Sequence, residues 1–387
     1  MLKETMTREQ RLMGAIRLQA TDRTPVAPLI FQFALKHKGR PIIPLAGGDP
    51  ADWPKVMQAG EDTFDDLGGY DAVYCSGLTW PISSWRVNSA PGNRFVSPGQ
   101  ENVPQEFSAV QYEEREVMTL DDYGRIASVG WNAFLKEYIP RVSGISIEQL
   151  DAAEKMLMGI FLKDDAKWKA RGVPSMSGAL IISCEMTLSL VRTLPKFMMD
   201  VHRHRARVKA CIEAMVEDMT ANAIMDTQVS GVPFVIFSLE RGSGAYFNLQ
   251  TYEELFFPAL KRMVDGVAAK GLISVLHMDT DWTRNLPYLR ELPRAMCICE
   301  LDSTSNIFKA KEALGGHMCI MGDVPASLLS LGNQEEVIAY CEKLIDVVGK
   351  GGGFILSTGC ECPPDARFEN VRAMIDTAKR HPAPNAK

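Results

Sequence analysis

Short apolar runs, each too short to make a helix, recur along this chain, and stretches of helical periodicity separate most of them. The runs lie at residues 26–30, 69–74, 234–237, 273–276, 296–299, 318–321 and 354–356. Helical patterns fill 147–170, 188–225 with a break near Pro195, 252–270, 307–314 and 334–348. A buried strand followed by a helix, repeated, gives a parallel sheet covered on both faces. With 387 residues and a tally close to eight strands, the expected fold is α/β, a (β/α)8 TIM barrel forming a single domain over 1–387. Thr7 to Gln10 reads as a capping box opening a helical extension through Leu18, and residues 88–119 read as a long early loop or hairpin excursion. No internal repeat and no interdomain linker interrupts the pattern.

On such a barrel the residue just past each strand carries the chemistry. Run 273–276 leads into His277-Met278-Asp279, and run 354–356 leads into Ser357-Thr358-Gly359-Cys360-Glu361-Cys362. Imidazole, carboxylate and thiolate are the side chains that hold zinc, and a catalytic zinc takes three protein ligands with one position open. His277 and Cys360 are therefore the metal candidates. The third ligand is open among Asp279, Asp281, Glu240, Glu300 and Cys362. Run 234–237 ends in Glu240-Arg241-Gly242-Ser243-Gly244, a binding loop or a charged surface pair. Run 318–321 ends in Gly322-Asp323-Val324-Pro325, where the Asp reads as a cap for the next helix. Lys350 sits among glycines, but after a helix and before a strand, which is the wrong order for a phosphate loop. Arg241, Glu240, Tyr246, Phe33, Trp80 and Glu300 are the substrate-binding candidates, with Arg241 suited to a carboxylate.

A formal charge of −6 argues against a nucleic-acid binder and against a polybasic membrane-surface protein. No segment is apolar enough to span a bilayer, and the first residues lack the apolar run of a signal peptide. Nine cysteines without regular spacing suggest reduced thiols, hence a cytoplasmic location. Self-association into a homo-oligomer is left open.

At this point the chain resembles a known group, the uroporphyrinogen decarboxylase superfamily. The resemblance rests on Thr7-Arg8-Glu9-Gln10-Arg11 with Thr21-Asp22-Arg23-Thr24-Pro25-Val26, on Tyr252 to Pro258, on Met321-Gly322-Asp323-Val324-Pro325, and on the glycine-rich approach to Cys360. It implies the same barrel. The Arg-Gln-Ala-Gly-Arg segment with which the true decarboxylases bind a tetrapyrrole is absent, since the corresponding stretch runs from Phe31 to Arg40 without it. The branch that carries a late cysteine comprises corrinoid-dependent methyltransferases, including coenzyme M methyltransferases and the first methyltransferases of O-demethylase systems. Several of these hold zinc on a His-x-Cys pair and a later Cys. The resemblance thus maps His277 and Cys360 onto metal ligands and puts Asp279 in the place of the middle Cys.

A carboxylate for a thiolate makes a harder site, better matched to oxygen than to sulfur. The function expected is a zinc-dependent methyltransferase taking a methyl group from an O-methyl substrate of the methoxylated-aromatic kind. The acceptor is a Co(I) corrinoid (cobalamin) on a partner protein, because the chain lacks an Asp-x-His-x-x-Gly cobalamin signature. The alternatives are methyl transfer involving a thiol or methylamine on the same zinc, a metal-free decarboxylase-like lyase, and a non-catalytic binding barrel.

Overall fold

A computed structural model describes residues 3–42, 53–73, 94–96, 98–99, 103–104 and 111–384. Six parallel strands stand side by side in chain order: Ala179–Ile182, Phe234–Ser238, Ile273–Met278, Cys297–Leu301, Cys319–Val324 and Phe354–Thr358. The ring closes through two shorter segments. Val26 pairs in parallel with Leu356, and Val73 pairs with Ser175. The amide of Asp71 donates to Val26 O at 2.8 Å, which joins these two segments to each other. Eight strand positions therefore close into a (β/α)8 barrel, two of them reduced to single bridges.

Strand alternation sorts the side chains into two cores. Leu180, Ile182, Phe234, Ile236, Ile273, Val275, Ile298, Met321 and Ile355 form one core together with Leu12 and Ile16 of the first helix. The intervening residues Ile181, Val235, Phe237, Leu276, Cys299, Leu301 and Leu356 belong to a second, larger core shared with the outer helices. The first set faces the bore. His277 and Glu300 continue its parity at the strand ends, so the register alone turns both toward the barrel mouth.

The N-terminal extension acts as a clamp. Its helix Arg8–Ile16 is opened by the expected capping box, Gln10 N donating to Thr7 Oγ1 at 3.2 Å and Thr7 N to Gln10 Oε1 at 2.9 Å. Arg11 is fully buried, donating to both oxygens of Asp22 (2.6 and 2.8 Å) and to Asp71 Oδ1 at 2.7 Å. Arg23 donates to both oxygens of Asp71 at 2.6 and 2.9 Å, and Val26 N donates to Asp71 Oδ2 at 2.8 Å. The motif residues Arg11, Asp22 and Arg23 thus hold the closing segments where the ladder is weakest.

Several expectations change. The helical run 188–225 is three helices, Cys184–Arg192, Leu194–Arg203 and Arg205–Ser230, the first break falling at Thr193 with φ 65° just before Pro195. The strand Ala179–Ile182 escapes a periodicity argument because a four-residue apolar run between helices fits either state. Its approach is fixed by Gly178, where a Cβ would meet Val232 O at 2.0 Å. Helices Leu120–Val129 and Trp131–Ser143 were not anticipated. The early excursion agrees with the hairpin reading, Arg94–Val96 pairing antiparallel with Gln111–Glu113. Asp323 does not cap the next helix, whose N-cap is Pro325; it accepts from Tyr340 Oη at 2.8 Å instead. Among the described residues no helix is long and apolar enough to cross a membrane.

Asp71→Asn leaves two buried guanidiniums short of their shared counter-charge. Removing one partner of a buried pair costs about 3–5 kcal/mol, so urea unfolding should show a loss of that size; an unchanged midpoint would mean the clamp does not hold the barrel shut.

Candidate metal centre

Three side chains from two strand ends meet over the bore. Cys360 Sγ lies 3.6 Å from His277 Nε2 and 3.6 Å from Asp279 Oδ2, and His277 Nε2 lies 3.5 Å from Asp279 Oδ1. Among the described residues these three form the one cluster of His, Cys and carboxylate groups with its ligand atoms gathered closely enough to share an ion. The spacing is informative. Tetrahedral zinc bonds of about 2.0 Å to N or O and about 2.3 Å to S place N and O ligands about 3.3 Å apart, and S about 3.5 Å from either. The observed triangle matches that within a few tenths of an ångström. Among the described residues the buried Asp279 Oδ1 meets only His277 Nε2, at 3.5 Å and without hydrogen-bond alignment, as expected of an oxygen free to take a ligand. The donor set fits zinc.

Local structure holds each donor in place. The Glu300 carboxylate, 1% exposed on the neighbouring strand, contacts His277 Nδ1 at 2.9 Å. A carboxylate on one ring nitrogen fixes the tautomer and presents the other nitrogen to a metal. Asp279 precedes a sharp turn in which Thr280 adopts φ 72°. That turn is held by Asp302, which accepts from Thr280 N at 2.9 Å, and by Ser243, whose hydroxyl lies 2.7 Å from Thr280 Oγ1. Trp282 Nε1 donates to Asp279 O at 2.8 Å. Next to Cys360, Glu361 accepts from Gln32 N at 2.7 Å and Gln32 Nε2 at 2.9 Å.

The electrostatics are those of a buried acidic mouth. Burial pushes the Cys360 thiol up to about 11 despite the pull of His277. Burial also opposes ionisation of Asp279, yet the charge of His277 together with the close approach of His277 and Cys360 prevails and holds it below the usual carboxylate range. Glu240 and Glu361 are raised, in both cases chiefly by burial.

The other sequence candidates disperse. Glu300 backs the imidazole rather than joining the triangle. Cys362 is fully buried in the larger core, its Sγ 4.0 Å from Pro363 O, and Asp281 is exposed, accepting from Thr283 N at 2.9 Å. Glu240 stands at the rim, with Ser238 Oγ 2.6 and 2.7 Å from its two oxygens. Arg241 pairs with Glu114 at 2.5 Å rather than with its neighbour Glu240. Phe33 is a core residue stacked on His37, and Tyr246 packs against the larger core. Trp80 lies outside the described residues. Glu185, Ser238 and Glu361 went unnoticed in the sequence; the position of Glu361 between two cysteines was the one available signal.

The family described as uroporphyrinogen decarboxylase matches residues 178–381, more than half of the chain. No curated protein sequence matches it. Among solved structures, a methyltransferase from Methanosarcina mazei is similar over 97% of this chain and 98% of its own, at TM-score 0.69 and 15% identity, a likeness of fold. A Listeria monocytogenes structure described as a vitamin-B12-independent methionine synthase covers 92% and 96% at 10% identity, and its TM-score of 0.41 carries no argument.

Removing an outer-shell partner of a ligating histidine typically weakens metal binding about 10–100-fold. Glu300→Gln should therefore release zinc to a chelator at correspondingly lower chelator concentration, with the fold intact by circular dichroism. Unchanged zinc affinity would leave Glu300 no part in orienting His277.

Proposed function

This chain belongs to the uroporphyrinogen decarboxylase family, and on that footing we propose that it is a zinc-dependent methyltransferase. The methyl group comes from an O-methyl compound, a methoxylated aromatic in the first instance, and goes to the Co(I) corrinoid of a partner protein. The observation that carries this reading is the His277–Asp279–Cys360 triangle at the barrel mouth. The fold shared with the Methanosarcina mazei methyltransferase supports it at the level of analogy.

His277, Asp279 and Cys360 would hold the ion, with Glu300 keeping His277 in the ligating tautomer. Bound there, zinc supplies Lewis acidity toward the ether oxygen, whose departure as an alkoxide or phenoxide is otherwise slow. Asp279 sets the preference. It brings the same single negative charge as a thiolate but donates electron density less freely, which favours an oxygen substrate over a sulfur one. The strand ends and their loops place the triangle over the bore, where a partner protein can present its corrinoid from above.

The purified protein should contain zinc, and His277→Ala and Cys360→Ser should lose both the metal and demethylation of methoxylated aromatics in the presence of a reduced corrinoid protein. Asp279→Cys should keep zinc while ether cleavage falls at least about tenfold relative to transfer involving a thiol. Absence of zinc from the wild type, or activity on thiols alone, would defeat this reading.

A further inference from the structure

Beside the triangle stand two carboxyl groups that metal binding leaves unused, Glu185 buried and Glu240 half-buried. The ends of strands Phe234–Ser238 and Ile273–Met278 run together, Ser238 paired with His277 and Leu239 N donating to His277 O at 3.0 Å. Thr280 Oγ1 donates to Glu240 O at 3.4 Å, which fastens the rim loop of Glu240 against the turn that follows Asp279. The Glu240 carboxyl is gripped by Ser238 and lies within electrostatic reach of His277 and Asp279. Glu185 is 4% exposed in the first turn of helix Cys184–Arg192 and within electrostatic reach of Glu240.

The loop is shaped around Glu185. A Cβ on Gly242 would sit 2.6 Å from Glu185 Oε1, so the chain forgoes a side chain there to seat this carboxyl. Tyr252, 1% exposed, is within electrostatic reach of Glu185, and its hydroxyl makes no hydrogen bond among the described residues. No ion pair involves Glu185 or Glu240 among the described residues. A carboxyl removed from water without an ion pair is driven toward its protonated form. The titratable groups facing them are His277 and Asp279 from the neighbouring strand end and Tyr252 from behind. Burial pushes Glu185 up to about 7 against hydrogen bonds from its own amide and Ser183, with a smaller push from Glu240, and burial raises Glu240 against the charge of His277.

We propose that Glu240, backed by Glu185, is the acid that protonates the departing oxygen of the methyl donor. The assignment rests on the functional reading above. In this step the methyl–oxygen bond breaks and its electron pair stays on oxygen. The Co(I) of the partner's corrinoid supplies the pair for the new bond to the methyl carbon and is formally oxidised by two electrons. The carboxyl proton goes to the oxygen, yielding an alcohol or phenol. Glu185 returns a proton to Glu240, and water restores the pair.

The test is leaving-group dependence in the zinc-loaded protein with its reduced corrinoid partner, using alkyl methyl ethers and methoxylated phenols against nitrophenyl methyl ether. General acid catalysis is worth about 10²–10⁴-fold. Glu240→Gln should accordingly lose about 100-fold or more on the ethers whose leaving groups are poor and much less on the nitrophenyl ether, with zinc content unchanged. Glu185→Gln fills the same space beneath Gly242 and should show a milder version of the same trend. Independently of activity, infrared spectra of the wild type at pH 7 should show a protonated-carboxyl carbonyl band that weakens in both variants. Equal loss across all leaving groups, loss of zinc from either variant, or no such band in the wild type would overturn the proposal. A wild type that demethylates no ether would defeat the functional reading and this assignment together, whereas an active wild type with uniformly impaired variants would defeat the assignment alone.

Discussion

The meeting of Arg11 and Arg23 at the buried carboxylate of Asp71 is the interaction on which the rest of this structure depends. A barrel works as a scaffold only if it closes, and here two of the eight strand positions contribute a single bridge each. Backbone pairing alone is thin at that seam. Asp71 accepts from Arg11, twice from Arg23 and from the amide of Val26, so one buried carboxylate ties the first helix, the turn after it and both short segments together. Taking these charges out of water is costly, and the arrangement is tolerable because hydrogen bonds surround the carboxylate. The His277–Asp279–Cys360 triangle inherits this closure. Val26 pairs with the strand that carries Cys360, and two further strands lie between that strand and the one carrying His277. The two side chains meet only because the ring is shut and both point across its bore.

Much of this was legible in the chain, for a physical reason. Buried parallel strands must be almost wholly apolar, so they stand out against amphipathic helices, and the residue that ends such a run is conspicuous. His277 and Cys360 were found in that way, and Asp279 lay two residues on with the correct parity. What stayed hidden was whatever depends on contacts between distant segments. Glu300 looked like one more rim carboxylate until the register set it beside His277 Nδ1. Arg241 looked available for a substrate carboxylate until Glu114, from the early excursion, took it. Glu185 follows a strand too short to be recognised, so its place at the rim could not be read. Phe33 was an aromatic next to a strand, and nothing local said that it stacks into the core.

The charge balance at the mouth bears on the chemistry. Asp279 and a deprotonated Cys360 would bring two negative charges to a divalent ion, so the filled site would be neutral, as it would be with two thiolates. Replacing a thiolate by Asp279 therefore leaves the charge count unchanged and alters only how much electron density the ligands give up. A carboxylate gives less, and the ion keeps more of its acidity for the fourth position. Around this neutral centre stand carboxyls that burial holds toward their protonated forms, Glu240 and Glu361 at the rim with Glu185 behind. A site built to bind a thiol as thiolate has to shed the thiol's proton and has no use for proton donors beside the metal. Cleavage of an ether has the opposite requirement, because the oxygen arrives without a proton and must leave with one. In the reaction proposed above, a hard ligand within the triangle and the carboxyls next to it would answer the same demand, and the two features come from different strands.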